Sequence, residues 1–112
     1  MSEFTIAKVA VEKTVYHFDK AFDYCIQKEL SANAKPGCRV MVPFGGANSK
    51  RQGIILALAV QKETDCLKPI LAVLDKAPLL SNEGLRLVPW LKEHYFCTLF
   101  DAVKLLLPTG MN

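Results

Sequence analysis

The sequence predicts an α+β fold, with a small antiparallel, partly barrel-like sheet of about five strands followed by two C-terminal helices. Segments with strand-like composition occupy residues 4–75, and helical spacing of apolar residues begins only after them, at residues 81–107. That order favours α+β over a βαβ repeat. With 112 residues, 51% of them apolar, the chain is long enough for one core, so we expect residues 1–112 to form a single domain.

The first three strands are predicted from composition and turn chemistry. Residues 4–11 are rich in β-branched residues, and residues 21–26 alternate large apolar and smaller side chains. Pro36 and Gly37 follow one another in the order that a type II turn requires, because proline presets φ and glycine accepts a positive φ. A strand over residues 38–42 is therefore expected directly after them.

The remaining strands are predicted to form a hairpin and an edge. Residues 43–49 read as a flexible glycine-containing loop, and the apolar run at residues 53–60 reads as the strand that it leads into. This predicts a long-looped hairpin. Residues 69–74 are a short apolar run, and Pro69 allows a strand only from that point onward.

Two helices are predicted at the C-terminal end. Ser81 is a candidate N-cap for a helix that reaches Tyr95, and Pro89 should either kink this helix or delay its start by a turn. Thr98 is a candidate N-cap for a second helix that ends before Pro108. The sequence stops shortly after this proline, which suggests a cut in a linker of a larger protein.

Composition excludes several classes of protein. The formal charge is +3, and the longest uninterrupted apolar run, residues 54–60, is far shorter than the roughly 18 residues of a membrane span. The N-terminus has no basic start and apolar signal stretch, so we expect a cytoplasmic protein without a membrane partner. The cysteines lie far apart without zinc-ligand spacing, which predicts reduced thiols and no metal site: Cys25, Cys38, Cys66 and Cys97.

No enzyme motif is present. Gly45, Gly46 and Lys50 do not have the spacing of a phosphate-binding P-loop, and neither G-x-S-x-G nor H-E-x-x-H occurs. The sequence therefore predicts no catalytic residue and no bound cofactor.

One constellation suggests a binding site. Phe22, Asp23 and Tyr24 place a carboxylate between two aromatic rings, and the glycines of residues 44–46 supply flexible backbone. Aromatic rings can hold a nucleobase by stacking without regard to its identity. A carboxylate fits such a pocket only where it accepts hydrogen bonds, for example from a base amino group or a free sugar hydroxyl at the end of a strand. The alternative is that the two aromatic residues are core and Asp23 is exposed.

The same residues belong to a longer pattern. The segments 22–24, 36–45, 53–55 and 67–75, and above all G-x-R-V-x-V-P-F-G from Gly37 to Gly45, resemble the N-terminal 3′ DNA-binding domain of the PriA family of bacterial replication-restart helicases, also called primosomal protein N′. The resemblance covers nearly the whole chain, from about residue 4 to residue 108. It implies a fragment of an ATP-dependent DNA helicase that is not itself an enzyme. In the family the ATP, magnesium and zinc sites lie in later parts of the protein.

The resemblance also implies a function and roles for individual residues. In that family the domain binds the 3′ end of the nascent leading strand at a stalled replication fork, irrespective of the base. Asp23 resembles the acid that recognises the terminal nucleotide, with Phe22 and Tyr24 forming the pocket. Gly45 resembles the glycine whose backbone approaches the nucleotide, and Lys68 the basic residue near its sugar or phosphate.

Two parts of the pattern are weaker. Family members commonly have prolines ahead of the F-D-Y element, where this chain has residues 12–18 without any proline, so the approach to the pocket is expected to differ. Lys50 and Arg51 are candidates for phosphate contact, and solvated charges at a hairpin tip are the alternative.

Two other functions remain open at this stage. A protein-interaction module is suggested by the leucines at residues 79–80 and 105–107, if they are exposed rather than packed on the sheet. A general single-stranded DNA-binding domain would bind without recognising an end. The expected partners are DNA with a free 3′ end, forked DNA, the remaining domains of the parent helicase and other replication-restart proteins.

Overall fold

The computed structural model describes residues 4–13, 21–61, 67–95 and 97–107. They form a sheet of five strands in the order β2-β1-β4-β3-β5, followed by two helices. The bounds are β1 Phe4–Val11, β2 Phe22–Cys25, β3 Arg39–Phe44, β4 Ser49–Gln61, β5 Ala72–Val73, α1 Asn82–Tyr95 and α2 Leu99–Leu106, with a 3₁₀ turn at Lys28–Leu30. The predicted fold class is confirmed.

The two edges of the sheet are brought together without a continuous ladder between them. The amide of Cys25 in β2 donates to the carbonyl of Lys68 at 3.0 Å, and the amide of Ile70 donates back to Cys25 at 3.0 Å. The next residue, Leu71, donates to Met41 of β3 at 2.8 Å and leads into β5, the strand at the opposite edge. Residues 68–71 therefore bridge the two edges, which makes the sheet partly barrel-like although it is not closed.

The core lies on both faces of the sheet. Ile54 and Ile55 are adjacent in the central strand β4, point to opposite faces and are both fully buried. Ile55 packs in a cluster with Val9, Tyr24 and other residues of the strands. Ile54 packs in a second cluster, which also contains Val88 of α1 together with Ala102 and Val103 of α2. The helices cover one face of the sheet. The opposite face remains accessible at the edge formed by β2, where a site can lie.

The predicted turn and helix caps are confirmed. Gly37 has φ +94°, and the amide of Cys38 closes the turn onto the carbonyl of Lys35 at 3.1 Å. Ser81 Oγ accepts a hydrogen bond from the amide of Gly84 at 3.1 Å, and α1 begins directly after it at Asn82, so Pro89 does not delay the helix. Thr98 Oγ1 caps α2 by accepting from the amide of Asp101 at 3.1 Å.

The predicted long hairpin loop is wrong. Residues 43–44 complete β3 and Ser49 already begins β4, so only the turn at residues 45–48 joins the strands. Gly45 and Asn48 both have a positive φ, +76° and 52°, and the amide of Asn48 bonds the carbonyl of Gly45 at 3.1 Å. These two left-handed residues let the chain reverse within four residues. The predicted last strand is also shorter, since only Ala72–Val73 pairs in a ladder with β3.

The leucines that suggested an interaction surface are mostly packed. Leu80 is buried, and Leu106 and Leu107 pack against the second core cluster, whereas Leu105 is 62% exposed. The thiols of Cys25, Cys38 and Cys97 are free, and Cys66 lies outside the described residues. Within the described ranges no helix is both long and apolar enough to cross a membrane.

An ion pair ties β3 to the chain that follows β5. Arg39 Nη2 lies 2.8 Å from Asp75 Oδ1, and the amide of Arg39 donates to Asp75 Oδ2 at 2.8 Å. The Asp75 side chain is only 8% exposed. Burial raises the pKa of this carboxyl, but the hydrogen bonds and the charge of Arg39 outweigh burial, so the pKa of Asp75 is lowered overall.

Replacing Asp75 with asparagine is expected to lower the free energy of unfolding at neutral pH by about 1–3 kcal/mol. Because the folded-state pKa is depressed, the pair stabilises the protein above the unfolded-state pKa of about 4 and loses its effect as pH falls through the folded-state value. Urea unfolding at several pH values should therefore show a variant that differs from wild type at pH 7 and converges with it in acid. Glu29→Gln, an exposed carboxylate, is the control and should change little. A constant difference at all pH values would contradict this assignment.

Candidate functional site

A hollow of about 450 Å³ opens at the edge of the sheet formed by β2. Three segments far apart in sequence border it: β2 with the residue before it, the β3–β4 turn, and the segment that leads into β5. All five residues predicted for end binding line it: Phe22, Asp23, Tyr24, Gly45 and Lys68. Four further residues of the described part of the chain line it: Ala21, Pro43, Phe44 and Leu67. The volume is in the usual range for a small-molecule site.

Tyr24 forms the floor of the hollow. It is paired with Ala7 of β1 and is only 4% exposed, so most of its ring belongs to the core. Its hydroxyl donates to the carbonyl of Pro43 at 2.8 Å and thereby joins β2 to the end of β3. Burial raises the pKa of Tyr24, against an opposing effect of the positive charge of Arg51, so the hydroxyl remains a hydrogen-bond donor at neutral pH.

Phe22 and Phe44 form an aromatic wall. Their ring centroids lie 5.0 Å apart at an interplanar angle of 87°, which is a favourable edge-to-face arrangement. Both rings are half-buried and pack against the first core cluster. A wall of this kind offers apolar surface to a planar ligand while the core holds the rings in place.

Asp23 lies on the other face of the sheet from these rings. In the β1–β2 ladder it is paired with Lys8, and Lys8 Nζ donates to Asp23 Oδ1 at 3.1 Å. The two side chains are 35% and 42% exposed respectively, so this is a partly solvated ion pair. Asp23 thus borders the hollow at the open edge of β2 and does not lie between two stacked rings.

The backbone of Asp23 points out of the sheet. Ile26 donates to Thr5 of β1, whereas Cys25 bonds outward to residues 68 and 70. Backbone groups alternate in direction along a strand, so Asp23, two residues before Cys25, also directs its N–H and C=O away from β1. The edge next to the hollow therefore presents one donor and one acceptor in addition to the carboxylate.

Lys68 closes one side of the hollow. Its Nζ donates to the carbonyl of Gly45 at 2.8 Å, which links the segment before β5 to the β3–β4 turn. Both residues are exposed, so the ammonium keeps part of its hydration and two further N–H donors. A ligand that enters the hollow meets this positive charge.

Lys50 and Arg51 do not line the hollow. Lys50 is exposed in β4, while the Cζ atom of Arg51 lies 4.4 Å from the centroid of the Phe44 ring. Of the other basic residues in the middle of the chain, Arg39 is committed to Asp75. Among the described residues that line the hollow, the positive charge is that of Lys68. Arg51 lies outside the lining but contacts Phe44, which belongs to it.

No group of three or more His, Cys, Asp or Glu side chains capable of holding a metal occurs in the described part of the chain. The polar atoms at the hollow are a carboxylate, an ammonium, backbone amides and carbonyls. These groups can bind a small polar ligand with a planar apolar part.

Sequence reasoning missed two contributors, Lys8 and Phe44 as a wall residue. Lys8 is the one charged residue of β1, which marks a position in a different environment from its neighbours. Its partner, however, depends on the β1–β2 register. The sequence predicts Phe44 in a loop because two glycines follow it, whereas the structure places it at the end of β3.

Comparisons with known proteins identify the family of this chain. A family model described as the 3′ DNA-binding domain (3′BD) of PriA matches residues 8–108. The Replication restart protein PriA of Bacillus subtilis is 31% identical over 108 residues, which cover 95% of this chain and 13% of that protein. The PriA of Chlamydia trachomatis is 30% identical over 97 residues, which cover 83% of this chain and 13% of that protein.

A third relative, the Probable replication restart protein PriA of Mycobacterium leprae, is 31% identical over 101 residues, or 86% of this chain and 15% of the relative. The chain therefore spans only about one seventh of the length of these relatives. The family model covers all five residues of the hollow that sequence predicted, together with Lys8 and Phe44. The chain belongs to the 3′ DNA-binding domain family of PriA replication restart proteins.

Proposed function

We propose that this chain binds the 3′-terminal nucleotide of a DNA strand in the hollow beside β2. The observation that carries the proposal is the convergence of Phe22, Asp23, Gly45 and Lys68, from three separate segments, on one hollow. In the cell the corresponding ligand is the nascent leading strand at a stalled replication fork.

The absence of a preference for one base follows from the groups that line the hollow. The wall of Phe22 and Phe44 offers apolar contact that every base can use. The outward N–H and C=O at Asp23 can meet a donor or an acceptor on a base edge, and every base carries both kinds. Among the described residues of the lining, no side chain other than those of Asp23 and Lys68 carries a charge that would select one base.

Preference for an end follows from Asp23. Lys8 occupies Oδ1 of the carboxylate, and no hydrogen bond to Oδ2 occurs among the described residues. A terminal 3′ hydroxyl can donate to this oxygen, whereas an internal nucleotide has a phosphodiester there, which is negatively charged and has no donor. The Asp23 carboxylate therefore favours the terminus of a strand over its interior.

The test is competition between linear and circular single-stranded DNA of the same length and sequence. We expect the linear strand to compete for the protein at least tenfold better, because only it has a 3′ hydroxyl. Equal competition by the two forms would show instead that the chain is a general single-stranded DNA-binding domain.

The proposal assigns the remaining activities to other parts of a longer replication-restart helicase in the cytoplasm. ATP, magnesium and zinc would be bound there, and this chain would be a non-catalytic DNA-binding part. Forked DNA, the other domains of that helicase and further replication-restart proteins are its proposed partners.

A further inference from the structure

Arg51 contacts one ring of the aromatic wall formed by Phe22 and Phe44. It is directly opposite Val42 in the β3–β4 ladder, so its side chain shares a sheet face with Phe44. Its guanidinium carbon lies 4.4 Å from the centroid of the Phe44 ring, in cation–π geometry. Arg51 itself does not line the hollow, whereas Phe44 does.

The guanidinium is held in place by backbone. Arg51 Nη1 lies within hydrogen-bond distance of two carbonyls at the end of β1, Glu12 at 3.4 Å and Lys13 at 3.3 Å. In the part of the chain that the structure describes, Nε and Nη2 make no hydrogen bond. A half-buried planar cation, fixed by a ring and two carbonyls and with donors to spare, is suited to bind a phosphate diester.

We propose that Arg51 forms a second DNA subsite, which binds the phosphodiester that joins the last two nucleotides of the strand. This inference rests on the proposed function, because it starts from a terminal nucleotide in the hollow. A strand that leaves the hollow past Phe44 passes next to Arg51. The contact adds affinity through a phosphate without adding base specificity.

The experiment removes one negative charge from the DNA at a defined place. Single-stranded oligonucleotides with a free 3′ hydroxyl carry one neutral methylphosphonate, either at the last linkage or four linkages upstream. Wild-type protein should bind about fivefold to tenfold more weakly when the last linkage is neutral. It should lose much less affinity when the upstream linkage is the neutral one.

Arg51→Ala should bind the unmodified strand as weakly as wild type binds the strand with the neutral last linkage, and should lose nothing further on that modified strand. Arg51→Lys retains a charge without the planar stack and should recover part of the sensitivity. Lys50→Ala, a neighbouring lysine whose removal leaves the Arg51 contacts in place, should keep the wild-type response. Thermal unfolding confirms that each variant is folded.

The subsite is refuted if Arg51→Ala remains as sensitive as wild type to the last linkage. It is also refuted if wild type responds equally to neutral linkages at both places, a result that needs no variant. Failure of end binding itself would be recognised separately, because linear and circular strands would then compete equally.

Discussion

Asp23→Ala is expected to reduce the preference for a 3′ hydroxyl over a 3′ phosphate by about tenfold, or about 1.4 kcal/mol. The carboxylate accepts a hydrogen bond from the hydroxyl and repels the phosphate, so alanine removes both effects. The fold should persist, because Asp23 lies on an edge strand and its partly solvated pair with Lys8 is worth at most about 1 kcal/mol. Fluorescence anisotropy with the two oligonucleotides measures the preference.

Lys8→Met separates loss of the ion pair from loss of the carboxylate. It removes the cation that lies 3.1 Å from Asp23 but leaves the negative charge at the edge of the hollow. The preference for hydroxyl over phosphate should therefore increase, opposite to the effect of Asp23→Ala. If both variants lose the preference, the pair acts as a structural unit and the carboxylate does not recognise the end.

Lys68→Ala is expected to weaken binding of single-stranded DNA by roughly tenfold at low salt. Among the described residues that line the hollow, Lys68 carries the positive charge, and its Nζ also bridges to the carbonyl of Gly45. Loss of one phosphate contact should reduce the slope of log affinity against log salt by about 0.7 for a single strand. Titrations at four or more salt concentrations give this slope.

Lys104→Ala is the matched control, since Lys104 is an exposed lysine on α2 outside the lining of the hollow. It lowers the net charge equally and should change neither affinity nor slope by much. Equal effects of the two alanines would mean that Lys68 acts only through the overall charge of the domain.

Local rules predicted much of the fold. The Pro36–Gly37 turn was predictable because few residues other than glycine accept a φ of +94°. The first residues of the two helices were predictable because Ser81 and Thr98 have the side-chain acceptors that a first turn needs. The pattern of β-branched residues predicted β1 with its observed bounds. Local chemistry suggested Phe22, Asp23 and Tyr24, with the glycines after Phe44, as a binding site. Lys68 and the role of each residue came only from the family pattern.

The remaining side-chain contacts depend on strand register and on packing between distant segments, which the sequence alone does not predict. The partner of Asp23 depends on how β2 aligns with β1, and Lys8 is found only once that ladder is known. The hydroxyl of the buried Tyr24 depends on Pro43, 19 positions away, whose carbonyl accepts its hydrogen bond. The contact of Arg51 with Phe44 depends on the short turn between β3 and β4, where a long loop was predicted.

The most direct test of the central claim is the affinity of the wild-type chain for two oligonucleotides that differ only in a hydroxyl or a phosphate at the 3′ carbon. Recognition of the strand end by Asp23 predicts at least about tenfold weaker binding of the phosphorylated strand, a difference of roughly 1.4 kcal/mol. Equal affinities, or tighter binding of the phosphate, would contradict it.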